Sequence, residues 1–122
     1  MLIVFNSDSP VFQQLAARIA DDVVAGVYPE ETAVPSATDF ATFFQMNPAT
    51  VSKGVNLLVD LGVLYKRRGI GIFVATGARE ILLQRRRDAF DEQYLRPLLR
   101  EARTIGIPRS ELHTMIDERD ED

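Results

Sequence analysis

The chain has 122 residues, of which 46% are hydrophobic and 26% charged, and its formal net charge is -4. This length can bury one core and carry an extension, but it is too short for two full domains. Because the sequence contains no cysteine, a disulfide framework, a thiolate metal site and a thiol nucleophile are excluded, and a reducing compartment is expected.

The first predicted helix lies between residues that favour helix ends. Ser9 is a candidate N-cap, and Pro10 suits the first helical position because a residue there needs no amide hydrogen. Gly26 can close the helix in the left-handed conformation. The apolar residues between these ends recur at helical spacing and predict a buried face: Phe12, Leu15, Ala16, Ile19 and Val23.

A shorter second helix is predicted to begin after Ser36, whose hydroxyl can accept a hydrogen bond from the amide of Asp39. Its apolar residues are Phe40, Ala41, Phe43 and Phe44. An aromatic ligand cage is the alternative interpretation of this stretch, but aromatic residues at helical spacing are more often core. We therefore predict that these side chains are buried.

The second and third helices are joined by only two residues, Gln45 and Met46. Asn47 is the predicted N-cap of the third helix, and Pro48 is its predicted first residue. So short a connection makes the two helices cross steeply, which is the geometry of a helix-turn-helix.

The third helix has an apolar face and a polar face. Its spacing places the apolar residues Val51, Val55, Leu58 and Leu61 on the inner face. The early, outward positions are short or polar: Ala49, Thr50, Ser52, Lys53 and Asn56. Such side chains can approach base edges and phosphates at little desolvation cost, and the helix N-terminus adds amide donors and a partial positive charge. An ordinary solvated helix face is the alternative.

A basic hairpin is predicted after the third helix stops at Leu61 and Gly62. The residues expected to contact a DNA backbone there are Lys66, Arg67, Arg68, Gly69 and Gly71. The two glycines permit positive φ and bring backbone amides close to a partner. Residues 72–74 are β-branched or aromatic and predict a second strand, whereas a phosphate-binding nucleotide loop would need a following helix.

The segment from Ala78 onward has a loose helical period that is interrupted at Pro97, where the helix should kink or a new one should start. A break over residues 103–108 precedes a last helix with apolar residues at Leu112, Met115 and Ile116. So few helices cannot enclose a ligand or cover their own apolar stripe, so we expect a homodimer. The expected interface residues are Phe90, Tyr94, Leu95, Leu98 and Leu99.

Positive and negative charges are separated along the chain, so the net charge alone decides little about DNA binding. Lysine and arginine cluster at the hairpin, whereas acids crowd the C-terminus and are expected to form a solvated, frayed tail: Asp117, Glu118, Asp120, Glu121 and Asp122. The run Arg85, Arg86 and Arg87 could extend a DNA contact, but a solvated helix face is the favoured interpretation.

No pattern in the sequence is typical of an enzyme. The single histidine, His113, lies near one end and is expected at the surface, and one histidine with dispersed acids does not make a metal-ligand set. We therefore predict no catalytic residue, no metal and no cofactor. The longest apolar run, residues 1–5, is too short for a signal-sequence core or a membrane span, so a cytoplasmic protein with no membrane partner is expected.

Four of these segments together resemble the DNA-binding domain of GntR-type bacterial transcription regulators. They are Pro10-Val11-Phe12-Gln13-Gln14, Val34-Pro35-Ser36, Asn47 to Lys53, and Arg67-Arg68-Gly69-Ile70-Gly71-Ile72-Phe73-Val74. Two positions depart from the family pattern, which often has arginine at the place of Thr38 and a polar or basic residue at the place of Ile70. The short helical tail resembles the YtrA-like subgroup, which uses its tail for dimerisation.

The resemblance implies a mainly α fold with a small β-hairpin, in which residues 1–76 form a winged helix-turn-helix and residues 77–122 a helical dimerisation tail. It implies a homodimeric, sequence-specific regulator, a repressor of an inverted-repeat operator in double-stranded DNA. The implied DNA-binding residues are Ser36, Thr38, Asn47, Thr50, Ser52, Lys53, Asn56, Lys66, Arg67, Arg68, Gly69 and Gly71. The alternative is a winged-helix protein-interaction module without DNA binding, and the operator and any small-molecule effector stay open.

Overall fold

The structure, a computed structural model, describes residues 10–120. The described helices and strands are α1 Val11–Val24, β1 Ala33–Val34, α2 Ala37–Phe44, α3 Pro48–Asp60, β2 Leu64–Arg67, β3 Gly71–Val74, α4 Ala78–Phe90, α5 Arg96–Thr104 and α6 Arg109–Glu118. A π-helical turn over Asp91–Leu95 joins α4 to α5. The mainly helical fold with a small antiparallel sheet confirms the predicted fold class.

The chain divides into two compact units, the first ending at Gln84 and the second beginning at Arg85. The division falls inside α4 because the first turns of that helix, through Ala78 and Leu82, are buried in the core of the first unit. The boundary predicted at residue 76 lies just before this helix. That the two units behave as separate domains stays a prediction.

The core of the first unit is formed by one face each of α1, α2 and α3, together with the sheet. Leu15 of α1 and Val51 of α3 are fully buried, as the apolar spacing predicted. The two helices approach closely at Gly54, where an added Cβ would lie 2.8 Å from the carbonyl oxygen of Phe12. Only glycine fits between these backbones without a shift. No local sequence pattern predicts this contact.

The ends of α1 are set by residues that the sequence pointed to. The Pro10 carbonyl accepts hydrogen bonds from the amides of Gln13 and Gln14 at 3.1 and 3.2 Å. Pro10 is therefore the N-cap and not the first helical residue as predicted, because its extended ψ of 141° precedes the helix. The predicted cap at Ser9 lies outside the described residues. Gly26 closes the helix with a φ of 82°, as predicted.

The helix-turn-helix is fixed by two side-chain caps. The Ser36 hydroxyl accepts a hydrogen bond from the Asp39 amide at 3.0 Å, and the Asn47 side-chain oxygen accepts one from the Ala49 amide at 2.8 Å. Gln45 ends α2 in the left-handed conformation, and Pro48 is the first residue of α3. These contacts confirm the predicted starts of α2 and α3.

The sheet has three antiparallel strands in the order β1-β3-β2. The predicted hairpin is present, with Leu64 paired to Val74 and Arg67 paired to Gly71. The added strand β1 pairs with the other edge of β3, where Ala33 lies opposite Phe73. A strand of two residues is too short to show an alternating pattern, so the sequence did not predict it.

The second unit contains α5 and α6, which are joined by a short turn. Pro97 lies at the start of α5, as expected for a residue that cannot continue a helix. After α5 ends, Gly106 adopts a φ of 80° and the Ile107 amide donates to the Ala102 carbonyl at 2.8 Å. Ala102 of α5 and Leu112 of α6 are buried apolar residues.

The acidic end of the chain is more regular than predicted, because α6 continues through Glu118 and includes Asp117. Glu121 and Asp122 lie outside the described residues. Within residues 10–120, no helix has the length and apolar content that a bilayer crossing needs.

Candidate nucleic-acid interface

The outward face of α3 carries the residues predicted to contact bases. Lys53 and Asn56 are exposed, whereas Thr50 and Ser52 are half-buried. The Lys53 ammonium lies 4.3 Å from the ring centroid of Phe12, which is itself half-buried instead of fully buried. This cation–π contact holds the lysine stem against α1 while its charge stays at the surface.

Three of the predicted DNA-binding residues lie at helix N-termini. Ser36 and Asn47 are exposed, but their side-chain oxygens already accept the capping hydrogen bonds of α2 and α3. Thr38 is exposed in the first turn of α2. The caps therefore orient the first turns of both helices, and the predicted DNA contacts of these three residues stay predictions.

The wing is the hairpin of β2 and β3, and its basic side chains are exposed at Lys66, Arg67 and Arg68. The tip is closed by a hydrogen bond from the Ile70 amide to the Arg67 carbonyl at 2.9 Å, and Gly69 supplies the required positive φ of 74°. The Arg67 guanidinium lies 5.5 Å from the ring centroid of Phe73. The tip thus presents cations and backbone together.

A direct hydrogen bond joins the wing to α3. The Lys66 ammonium donates to the side-chain oxygen of Asn56 at 2.6 Å. This bond uses the amide oxygen of Asn56 and leaves the two donors of its amide nitrogen outside the contact. Two segments that the sequence predicted separately, the polar face of α3 and the basic wing, therefore form one continuous surface.

Glu31, which the sequence did not single out, braces the strand β2 from the loop before β1. Its carboxylate accepts hydrogen bonds from the Tyr65 hydroxyl at 2.6 Å, the Thr76 hydroxyl at 2.6 Å and the Thr76 amide at 3.0 Å. The Thr76 and Tyr65 bonds lower the pKa of Glu31, and the bond to the Glu31 carboxylate raises the pKa of Tyr65. These bonds tie the base of the wing to the loop.

Glu30, the preceding residue, caps α4. Its carboxylate accepts hydrogen bonds from the Gly77 amide at 2.8 Å and the Arg79 amide at 3.3 Å. The Arg79 guanidinium in turn donates to the Val24 carbonyl at 3.0 Å. A carboxylate at a helix N-terminus is favoured by the free amides and by the helix dipole. The partners lie far apart in the sequence, so no local pattern could predict them.

The prediction that the apolar residues of α2 are all core is wrong for Phe43, whose side chain is 70% exposed. Phe40 and Ala41 are buried, and Phe44 is half-buried against the core. At about 100° per residue, Phe43 lies roughly 200° around the helix from Ala41, away from the core. An eight-residue helix that packs on one side leaves this position open.

Nothing in the described chain indicates a metal centre. Within residues 10–120, no cluster of three or more histidine, cysteine, aspartate or glutamate side chains could hold an ion. His113 is exposed on α6, as predicted. Arg85, Arg86 and Arg87 are exposed on α4, and the choice between a solvated helix face and an extended DNA contact stays a prediction.

Comparisons with known proteins give a consistent result, although no family model matches the chain. The HTH-type transcriptional repressor YtrA of Bacillus subtilis is 28% identical over 93% of this chain and 86% of its own. A crystal structure of a GntR-family protein from Bacteroides thetaiotaomicron is 34% identical, with a TM-score of 0.74 over 88% of this chain and 94% of that chain. BusR of S. agalactiae, solved with its busAB promoter DNA, is 26% identical, with a TM-score of 0.56 over 90% of this chain and 55% of that chain.

Proposed function

Because the chain belongs to the GntR family of transcription regulators, we propose that it is a homodimeric repressor that binds an inverted-repeat operator in double-stranded DNA. The observation that carries this proposal is the hydrogen bond between Lys66 and Asn56, which unites the polar face of α3 with the basic wing. A helix and an adjacent basic hairpin on one surface can enter a groove and contact the flanking backbone at the same time.

In this proposal α3 supplies sequence recognition. Asn56 is exposed and its bond to Lys66 uses only the amide oxygen, so its amide nitrogen can donate to a base edge in the major groove. Thr50 and Ser52 lie in the early turns of the same helix, where their hydroxyls can meet phosphate or base edges. Lys53 adds a cation close to this surface.

The wing supplies affinity that depends little on sequence. Lys66, Arg67 and Arg68 carry three positive charges on adjacent exposed positions, and phosphate contacts of this kind release counterions from DNA. Gly69 and Gly71 let the backbone of the tip come close to the duplex. The negative net charge of the chain does not oppose this, because the basic groups are concentrated at the tip of one hairpin.

The tail supplies the dimer contact. Its apolar side chains Phe90, Tyr94, Leu95 and Leu98 are exposed in the second unit, and Leu99 is half-buried. The rings of Phe90 and Tyr94 lie 5.7 Å apart, so they present one apolar surface. A second copy of the same stripe would cover it, and two-fold pairing is the commonest way in which identical chains associate.

The direction of regulation and the DNA partner are supported by two similar proteins. YtrA of Bacillus subtilis, similar over nearly the whole chain, is named a transcriptional repressor. BusR was solved in complex with promoter DNA, and the similar region spans most of this chain. The first supports repression, and the second supports binding to double-stranded DNA.

A salt titration of duplex binding tests the proposal. The purified chain first selects its preferred sites from random duplexes, and its affinity for a selected and a scrambled duplex is then measured by fluorescence anisotropy at several salt concentrations. We expect Arg67→Ala with Arg68→Ala to weaken both duplexes similarly and to reduce the salt slope by about two units, one per lost phosphate contact. Asn56→Ala should instead reduce the difference in binding free energy between the selected and the scrambled duplex by about 1–3 kcal/mol.

Matched variants outside the proposed surface complete the test. Arg109→Ala with Arg119→Ala removes two exposed cations from the second unit, and Gln93→Ala removes an exposed amide there. These variants should keep the wild-type salt dependence of binding and the wild-type preference for the selected duplex. If the α3 and wing variants also keep them, the assignment of the DNA-binding surface is wrong.

A protein-interaction module without DNA binding is the second candidate, and the exposed apolar side chain of Ile70 at the wing tip favours it. Thr38 also favours the protein-interaction module, because the family commonly has arginine at this position. This candidate predicts that the chain binds no duplex in a salt-dependent manner, even at low salt.

A further inference from the structure

The first compact unit contains an aromatic cleft between the C-terminal half of α1, the following loop and α2. We use this name for the concave surface around Phe43, with Tyr28 and Phe44 in its wall and Arg18, Asp22 and Asp39 at its polar edge. Its volume is about 580 Å³. This volume lies within the range of sites that bind small organic molecules. None of the DNA-binding residues proposed above lines it.

The aromatic wall is held in place by ring contacts. Phe43 meets Phe44 edge to face, with centroids 4.9 Å apart and planes at 85°. Phe44 stacks on the buried Phe40 at 6.0 Å. Because Phe44 fixes one side of the Phe43 ring while 70% of that side chain stays exposed, an electron-rich aromatic surface is presented to the cleft. Exposed aromatic surface of this kind attracts organic cations.

The polar edge of the cleft carries more negative than positive charge. The Arg18 guanidinium lies 3.3 Å from the Asp22 carboxylate, so this cation and this anion offset each other. Asp39, in the first turn of α2, adds a second carboxylate. Burial raises the pKa of Tyr28, and the charge of Asp22 raises it further, so the phenol in the wall remains neutral. The formal charge of the lining is therefore negative.

We propose that the aromatic cleft binds a small organic cation with an apolar body, such as an alkylated or arylated ammonium or phosphonium ion. The cationic centre lies between the Asp39 carboxylate and the ring of Phe43, and the apolar body packs on Phe44 and Tyr28. The attraction to a ring and the attraction to a carboxylate act on the same charge, which a neutral or anionic molecule of equal shape lacks. Binding requires no DNA, so the test is independent of the function proposed above.

Isothermal titration with two ions of the same shape and opposite charge tests the proposal. The probes are tetraphenylphosphonium and tetraphenylborate, titrated into the full chain. We expect saturable binding of one phosphonium ion per chain, and binding of the borate weaker by at least about tenfold, because charge is their main difference. Asp39→Asn should weaken phosphonium binding by about fivefold. Phe43→Ala should also weaken it by about fivefold.

The controls distinguish binding in the aromatic cleft from nonspecific binding elsewhere on the chain. Asp60→Asn removes an exposed carboxylate at the end of α3, outside the cleft, and should leave the phosphonium affinity unchanged. Because Asp39 and Phe43 are both exposed, the variants should keep the helical circular dichroism of the wild type. The proposal is overturned if the phosphonium does not bind, if both ions bind equally, or if folded Asp39→Asn and Phe43→Ala variants bind it like the wild type.

Discussion

The two compact units differ in how far they bury similar apolar side chains. In the first unit Leu58 of α3 is 2% exposed, and a continuous core connects the helices to the sheet. In the second unit Leu98 of α5 is 44% exposed, and Tyr94 of the preceding π-helical turn is 60% exposed. Helical periodicity alone therefore shows which residues share a face, but not whether the chain itself covers that face.

The first unit covers its own apolar side chains, whereas the second unit leaves an apolar stripe exposed. In the first unit the sheet, three helices and the start of α4 enclose the apolar residues. In the second unit only Ala102 and Leu112 are buried among the described residues. The described residues leave the remaining stripe exposed, and a second copy covers it in the proposed dimer.

A matched pair of leucine substitutions gives the largest expected contrast. Leu58→Ala removes a fully buried side chain and should lower the free energy of unfolding by about 2–5 kcal/mol. Leu98→Ala removes the same atoms from an exposed position, so the free energy of unfolding should fall much less at protein concentrations where the chain is a monomer. Urea denaturation followed by circular dichroism measures both. Equal losses for the two variants would show that the contrast in burial is wrong.

The apolar stripe of the tail can be tested by adding charge to it. Tyr94→Glu with Leu98→Glu places two carboxylates in the proposed dimer contact, where they have no partner. The dimer should weaken by about a hundredfold or more, because burying an unpaired charge costs several kcal/mol. Sedimentation equilibrium should then show monomers. Gln93→Glu adds charge at a neighbouring polar position and should leave the dimer intact; if the double variant also stays dimeric while folded, the contact lies elsewhere.

A smaller effect is expected where Glu31 braces β2. The pKa of Glu31 is below its ordinary value of 4.5, so its bonds stabilise the fold above that pH, and this stability is lost as the pH falls through the lowered pKa. The pKa of Tyr65 is above its ordinary value of 10.0, so its contribution is complete below pH 10.0 and is lost as the pH rises through the raised pKa. The melting temperature should therefore fall at acidic pH, where Glu31 is protonated, and at alkaline pH, where Tyr65 is deprotonated.

Comparison of Glu31→Gln with the wild type isolates this effect. The glutamine variant carries no titrating carboxylate at the brace, so the melting temperature should depend less on pH below 4.5 and above 10.0. Glu101→Gln, at an exposed position in α5, serves as the control and should reproduce the wild-type curve. Identical curves for all three proteins would show that the bonds of Glu31 do not contribute to stability.

Much of the winged helix-turn-helix could be predicted because its determinants are local. Ser36, Asn47 and Pro48 define the starts of α2 and α3 within a few residues, and the glycines near the hairpin tip define the wing. The basic residues of the wing and the polar residues of α3 were also evident separately. The hydrogen bond between Lys66 and Asn56, which joins these two sets, could not be predicted because it depends on how the hairpin packs beside α3.

The features that the sequence did not predict depend on contacts between distant segments. Glu30 and Glu31 bind partners more than thirty residues away, so no spacing rule applies to them. Gly54 is required by the approach of α1 to α3. Phe43 matches the helical period of α2, and its exposure is decided by which side of that helix the rest of the fold covers.

Hydroxyl-radical footprinting of a selected DNA site tests most directly whether two copies of α3 and the wing bind DNA about a two-fold axis. We predict two protected blocks related by that axis, with centres separated by about 10 bp or a multiple of it, because the symmetry of a dimer imposes symmetry on its site. Phosphates outside the base-contacted core should also be protected, and this outer protection should be lost in the variant with Arg67→Ala and Arg68→Ala. A single asymmetric footprint from a demonstrated dimer would contradict two-fold binding, and no footprint at low salt would favour the protein-interaction module.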